Sequence, residues 1–323
     1  RLIVNAFYAV GLRSEKLYYR PKKEREPIDF LSKKKVFFTI SLVLIAAGVI
    51  TIGINEGRGK GAFAYSLEFQ GGTSTNVTFD KDYSIDEIDK EIVPVVEKVT
   101  GDNNVQTQKV AGTNQVIIKT VTLDLDKREA LNKAMVDNFG VDESKITAEN
   151  ISSTVSNEMR RDAVIAVVIA TICMLLYIWF RFKDIRFATS AVLALLHDVL
   201  VVVGFYAIAR ISVGNTFIAC ILTIVGYSIN ATIVIFDRIR EEMRGKTKSS
   251  DVAVVVNKSI TQTLTRSIYT SLTTFIMVAV LYVMGVSSIK EFALPLMVGV
   301  VCGAYSSVCI TGALWYVMKR FKK

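Results

Sequence analysis

Histidine is almost absent from this chain: His197 is the only one among 323 residues. Cysteine is scarce as well. Cys173, Cys220, Cys302 and Cys309 all fall within apolar runs, and none has metal-ligand spacing. The sequence therefore predicts no metal site and no histidine-based triad, and its polar stretch folds without disulfides. No phosphate-binding glycine loop and no nucleophile motif occur, so the chain reads as a non-enzyme. The opening residues RLIVNAFYAVGL lack the charged-then-apolar layout and small-residue cleavage site of a signal peptide. With Arg1 in place of an initiator methionine, the expectation is a chain cut from something longer.

What the chain has in abundance is apolar residues, at 51%, and they come in blocks. Blocks of about 20 apolar residues read as membrane helices. The formal net charge of +9 could suggest a nucleic-acid partner. Its lysines and arginines cluster beside the apolar blocks, however, so they read as a topology signal and no nucleic acid is expected. Residues 1–35 carry Arg13, Lys16, Arg20, Lys22, Lys23, Arg25 and Lys33–Lys35 and form a basic, cytoplasmic joint. It is a solvated linker or a segment touching anionic headgroups. The first membrane helix is expected over residues 36–55, a polar outer domain over 56–160, and a five-helix bundle over 161–320. Both termini then lie in the cytoplasm. Arg160-Arg161 breaks the rule of basic residues inside, but at the end of a long translocated domain that rule weakens.

The polar domain has its own periodicity. Ser66–Phe69 and Thr73–Phe79 alternate around Gly71-Gly72 as a bent or bulged strand would. Residues 84–99 and 124–139 have helical spacing, with Ser84 as a cap. Val105–Val110, Gln115–Val121 and Lys145–Ile151 read as further strands. The order βαββαβ predicts a ferredoxin-like α+β fold. Gly71 and Gly72 are either a substrate-facing turn or simply a tight backbone turn, and the bland reading stands.

Polar residues inside the apolar blocks are the candidate functional residues, because each is costly in hydrocarbon unless paired or watered. The stretch Gly226–Glu242 reads GYSINATIVIFDRIREE. Ser228, Asn230 and Thr232 are either adhesion between helices or the lining of an ion path, and the residues alone favour adhesion. Asp237, Arg238 and Arg240 mark the cytoplasmic end of that helix, where a solvated, salt-bridged turn is the plain expectation. His197-Asp198 is the one adjacent ionisable pair deep in a span, either functional or a structural hydrogen bond. Arg266 opens the next span as a switchable ion-pair partner or a snorkelling topology residue. Gly299 and Gly303 form a GxxxG packing motif.

Three of these blocks carry a resemblance: GYSIN-x-T with its DRIRE tail, YIWFRF followed by HD, and QTL-x-R with TS-x-TT. Together they resemble the SecF side of the SecDF protein-export factors, which belong with the RND-type transporters. The resemblance spans nearly the whole chain and is weakest in the polar domain. It implies a multi-pass α-helical membrane protein with six transmembrane helices of RND type and a small extracytoplasmic α+β domain. It implies an accessory role at the SecYEG translocon, where the proton gradient promotes late preprotein translocation across the cytoplasmic membrane. The implied partners are a SecD half, fused or separate, SecYEG, the translocating preprotein, YajC and YidC, and the implied cofactor is none beyond the gradient. Two other readings stay open: an RND-type exporter half for a lipid or small molecule, and a translocon scaffold without a motor. At position 231 the family usually has Asp, the residue credited with proton handling, whereas this chain has Ala231. The carboxylate must then come from Asp198 or from the SecD half. The latter is expected, with Asn230 and Arg266 as its partners.

Overall fold

In a computed structural model of the chain, residues 26–58, 61–102, 105–110, 112–244, 251–285 and 287–320 are described. Most of the basic joint therefore lies outside the described residues. Among the described residues, six helices are long and apolar enough to cross a membrane. These are α1 (Lys34–Gly57), α6 (Ser153–Phe182), α7 (Ile185–Ala209), α8 (Asn215–Arg244), α9 (Val252–Met284) and a last, composite one. The last runs through α10 (Ser287–Tyr305), a π-helical segment Ser306–Thr311, and α11 (Gly312–Arg320).

The helices are not equivalent. Half of the most apolar stretch of α7 is buried within the chain, against 6% for α6, 11% for α1 and 17% for α9. So α7, α8 and the composite helix form the centre of the bundle, and the other three present apolar surface outward, as lipid-facing or partner-facing helices do. Small residues set the closest approaches. A Cβ placed on Gly48 of α1 would meet Gly204 Cα of α7 at 2.6 Å. A Cβ on Gly303 of α10 would meet Ser228 Cβ of α8 at 3.2 Å. The GxxxG pair thus brings α10 against the polar face of α8.

Between α1 and α6 lies a small α+β unit. Its elements are β1 (Ala64–Tyr65), α2 (Leu67–Gln70), β2 (Gly72–Thr78), α3 (Ile85–Glu87), a π turn Ile88–Ile92, α4 (Val93–Thr100), β3 (Gln106–Lys109), β4 (Gln115–Thr120), α5 (Leu125–Phe139) and β5 (Ile146–Ile151). The sheet order is β3-β4-β2-β5, antiparallel throughout, which is the ferredoxin-like arrangement. Ser84 caps α3 through a reciprocal capping box with Glu87. Val77, Ile88, Ile92, Val96, Ile118, Leu131 and Met135 fill a core separate from that of the bundle.

One element departs from the sequence expectation. Ser66–Phe69 is not a strand: Leu67–Gln70 forms a helical turn in which Phe69 N and Gln70 N both donate to Ser66 O at 3.0 Å. The alternation that suggested a strand has another cause. Phe69 points into the membrane-bundle core, and the Arg160 guanidinium of α6 donates to its carbonyl. Gly71 and Gly72 then turn the chain into β2 with φ of 75° and 125°, values that favour glycine. Residues 64–65 pair in parallel with β6 (Ser212–Val213), the loop that leads into α8. Gln108 of β3 donates to Glu291 of α10 at 2.6 Å. The unit is thereby tied to the helices that carry the polar residues.

Candidate functional site

Four buried side chains of the bundle, His197, Ser228, Cys302 and Ser306, converge on Asp198. Its side chain is wholly buried, and three helices supply its partners. Ser228 Oγ of α8 donates to Oδ2 at 2.5 Å, and Ser306 Oγ donates to the same oxygen at 2.7 Å. On the other side, Oδ1 lies 2.9 Å from His197 Nδ1 and accepts from Cys302 Sγ at 3.3 Å. The carboxylate is thus surrounded by donors, the condition for keeping such a group in an apolar interior.

A second layer extends the cluster. Thr232 Oγ1 lies 3.2 Å from Ser307 Oγ, and Ser307 donates to the Ser228 carbonyl at 3.4 Å. Ser228 and Thr232 are four residues apart and so share one face of α8. Ser306 and Ser307 both reach inward because the helix widens there into π geometry. Thr311 Oγ1 bonds back to Ser306 O at 3.1 Å, five residues away. Such π segments often mark functional places in helices. His197 Nε2 is buried without a hydrogen-bond partner among the described residues, and the His197 ring lies 6.1 Å from that of Tyr305. Tyr305 in turn donates to the Phe37 carbonyl of α1 at 2.8 Å.

Of the residues singled out in the sequence, His197, Asp198, Ser228 and Thr232 meet in this cluster. Asn230 and Arg266 do not: both are exposed on the chain's own surface, Asn230 on α8 and Arg266 on α9. Among the described residues neither side chain has a hydrogen-bond or ion-pair partner. Their depths are related, however. Arg238 Nε donates to Gln262 Oε1 at 2.6 Å and fixes the antiparallel register of α8 and α9. Asn230, about 12 Å further along α8, is then level with about position 270, roughly one turn from Arg266.

At the other end of α8, Asp237, Arg238 and Arg240 form a salt-bridged turn. Arg181 pairs with Asp237 at 2.9 Å, Arg238 with Glu241 at 2.6 Å and Glu242 at 2.9 Å, and Arg240 donates to the Arg181 carbonyl at 3.1 Å. Gly71 and Gly72 are not part of the cluster: they lead into β2 of the α+β unit. Sequence reasoning missed Cys302, Ser306 and Ser307. For the two serines the signal was present as a run of small and hydroxylated residues in the last span, GAYSSVCIT, which begins at the second glycine of the pair.

Six apolar helices, a buried carboxyl group at the centre of their bundle and a ferredoxin-like unit inserted after the first of them define a polytopic membrane protein. Comparison makes this specific. The family model described as "Protein export membrane protein SecD/SecF, C-terminal" matches residues 131–321. The chain belongs to this SecD/SecF family. It is 36% identical to the protein translocase subunit SecF of Petrotoga mobilis, over 92% of this chain and 98% of that one. It is 35% identical to the protein translocase subunit SecDF of Bacillus subtilis over 90% of this chain, but spans only 38% of that longer protein. Among solved structures it is similar to SecDF of Thermus thermophilus, described as translocon-associated. The TM-score there is 0.81 at 29% identity, covering 98% of this chain and 41% of that one. The expected SecF resemblance and the six-helix α+β fold class both stand on these findings.

Proposed function

We propose that this chain is the SecF half of a two-part protein-export factor of the cytoplasmic membrane. With a SecD half it promotes late preprotein translocation at the SecYEG channel, drawing on the proton gradient and acting as a transport factor, not a catalyst. Near-complete coverage of separate SecF subunits, and partial coverage of fused SecDF proteins, supports the pairing. In this reading both termini are cytoplasmic, the α+β unit lies outside, and YajC and YidC are further neighbours.

The observation that carries the coupling is the exposure of Asn230 and Arg266. Two polar side chains at nearby depth in membrane helices have no partner among the described residues, which is costly unless another chain or water meets them. Ala231, beside Asn230, cannot carry a proton. In this reading the acid that Asn230 and Arg266 serve lies on the SecD half. When ionised it draws Arg266 in, and when protonated it lets go, a two-state element that both sides of the membrane can bias. Asn230 remains neutral throughout and contributes hydrogen bonds only.

The test is gradient-dependent secretion in cells carrying the SecD half. Asn230→Leu and Arg266→Leu abolish coupling while the protein still inserts, and Ala231→Asp is tolerated. If both leucine variants secrete normally under a gradient, this half stands outside the proton path and the scaffold reading replaces the motor. Cysteine labelling tests the orientation: a probe at Asn114 reacts from the outside, and failure there overturns the topology.

A further inference from the structure

We propose that His197, Asp198 and Cys302 form a binding site for a divalent cation of zinc type, joining α7 to α10. The only histidine of the chain and one of its four cysteines are 105 residues apart, yet the fold brings them together. His197 Nδ1, an Asp198 carboxylate oxygen and Cys302 Sγ all lie within 4.8 Å of one another, and all three residues are buried.

The geometry fits. Metal bonds of about 2.0 Å to nitrogen and oxygen and about 2.3 Å to sulfur give tetrahedral edges of about 3.3 Å for N···O and about 3.5 Å for those involving sulfur. The separations here are 2.9 Å for Nδ1···Oδ1, 3.3 Å for Sγ···Oδ1 and 3.9 Å for Sγ···Nδ1. Each edge needs to change by about 0.4 Å or less. The two carboxylate oxygens already divide the work. Oδ2 is held by Ser228 and Ser306, while Oδ1 faces the imidazole and the thiol. Such outer hydrogen bonds orient a ligating carboxylate in built metal sites.

The charge also balances. A dication with one thiolate and one carboxylate is neutral as a unit, which an apolar interior tolerates far better than a bare ion. One proton is released: the Cys302 thiol gives up its hydrogen to solvent as the sulfur–metal bond forms. His197 binds through Nδ1 and carries its proton on Nε2. No electron moves. The imidazole and thiolate select a borderline-soft ion such as zinc over magnesium or calcium, which prefer oxygen donors. Three protein ligands leave the fourth position open.

The test uses the full chain purified in detergent and titrated with cobalt(II), followed by thiolate-to-cobalt charge-transfer absorption. One equivalent binds and is displaced by zinc(II). Cys302→Ala removes the band, Cys173→Ala and Cys309→Ala keep it, and Ser306→Ala weakens affinity about 10–100-fold through the freed carboxylate oxygen. Absence of a saturable band in the unmodified protein, or a band that survives Cys302→Ala, overturns the proposal. The first of these outcomes does not depend on how any variant folds.

Discussion

The two faces of α8 hold polar residues in opposite ways. On the inner face, Ser228 and Thr232 have partners inside the chain, and Asp198 gathers them with residues of α7 and the composite helix. On the outer face, two residues away in sequence, Asn230 has no such partner among the described residues and is exposed. The difference separates two demands on a polar group in hydrocarbon. A group satisfied within its own chain contributes to the fold of that chain. A group left open contributes only when a second body arrives, and its cost keeps it rare unless that body exists.

The comparison breaks most easily at its centre. Asp198→Ala takes the acceptor from the Ser228 hydroxyl and the Cys302 thiol and removes the shorter of the two bonds of Ser306, which keeps only the Gly303 carbonyl at 3.3 Å. At about 1–3 kcal/mol for each orphaned buried group, the expected loss is about 3 kcal/mol. Asn230→Ala, on the open face, changes the stability of the isolated chain by less than about 0.5 kcal/mol. Thermal unfolding of the purified variants in detergent compares them directly, and equal destabilisation would remove the distinction between the two faces.

Glycine gives a second, smaller contrast. A Cβ on Gly204 meets the Gly48 backbone at 2.9 Å, where no flexible side chain can give way. Gly204→Ala then separates α1 from α7 and costs about 1–3 kcal/mol by overpacking. Gly226 lies on α8 with nothing within 4 Å of an added Cβ. Gly226→Ala is neutral or gains up to about 1 kcal/mol from helix propensity. The same unfolding measurement sharpens the comparison: a gain at Gly226 in the isolated chain, combined with lost secretion in the presence of SecD, would place the second body against that face.

How far these arrangements were legible in the sequence depends on what each residue's surroundings reveal. The six spans follow from block length and hydropathy, and the βαββαβ order from periodicity, because both signals are local. Asp198 and Ser228 stood out because charge and hydroxyl groups are costly in long apolar runs. Their meeting was not local: they lie 30 residues apart, on α7 and α8, and only the packing of those two helices brings them together. Ser306 and Ser307 were hidden for another reason. Serine is tolerated in membrane helices, and a π segment changes the angular spacing that would have predicted both facing inward. Ser66–Phe69 misled in the opposite direction. Its alternation was real, but Phe69 serves the membrane core and the backbone closes a turn onto Ser66. Cys302 carried no pattern at all, since its partners lie on another helix.

The smallest expected effect extends the comparison to a carboxylate held in water. Glu87 of the α+β unit, like Asp198, is gripped by local donors: Ser84 N at 2.7 Å, Ser84 Oγ at 2.8 Å and Lys81 Nζ at 3.0 Å. Unlike Asp198 it faces solvent, so its grip can be read by titration. The Ser84 backbone bond, then the Lys81 bond, then the Ser84 hydroxyl bring its pKa down to about 2 from the ordinary 4.5. A folded-state pKa below the unfolded value means that the ionised form favours the fold. That contribution is complete above pH 4.5 and is lost as the pH falls from 4.5 towards about 2. Exposure and salt screening keep it small. Hydrogen-exchange protection of the first turn of α3, compared between the unmodified chain and Glu87→Gln at each pH, isolates it. The two proteins differ at pH 6 and converge as the pH approaches 2. A difference that persists unchanged at the lowest pH would mean that the capping box acts through its neutral hydrogen bonds alone, and that charge does not distinguish the exposed carboxylate from its amide.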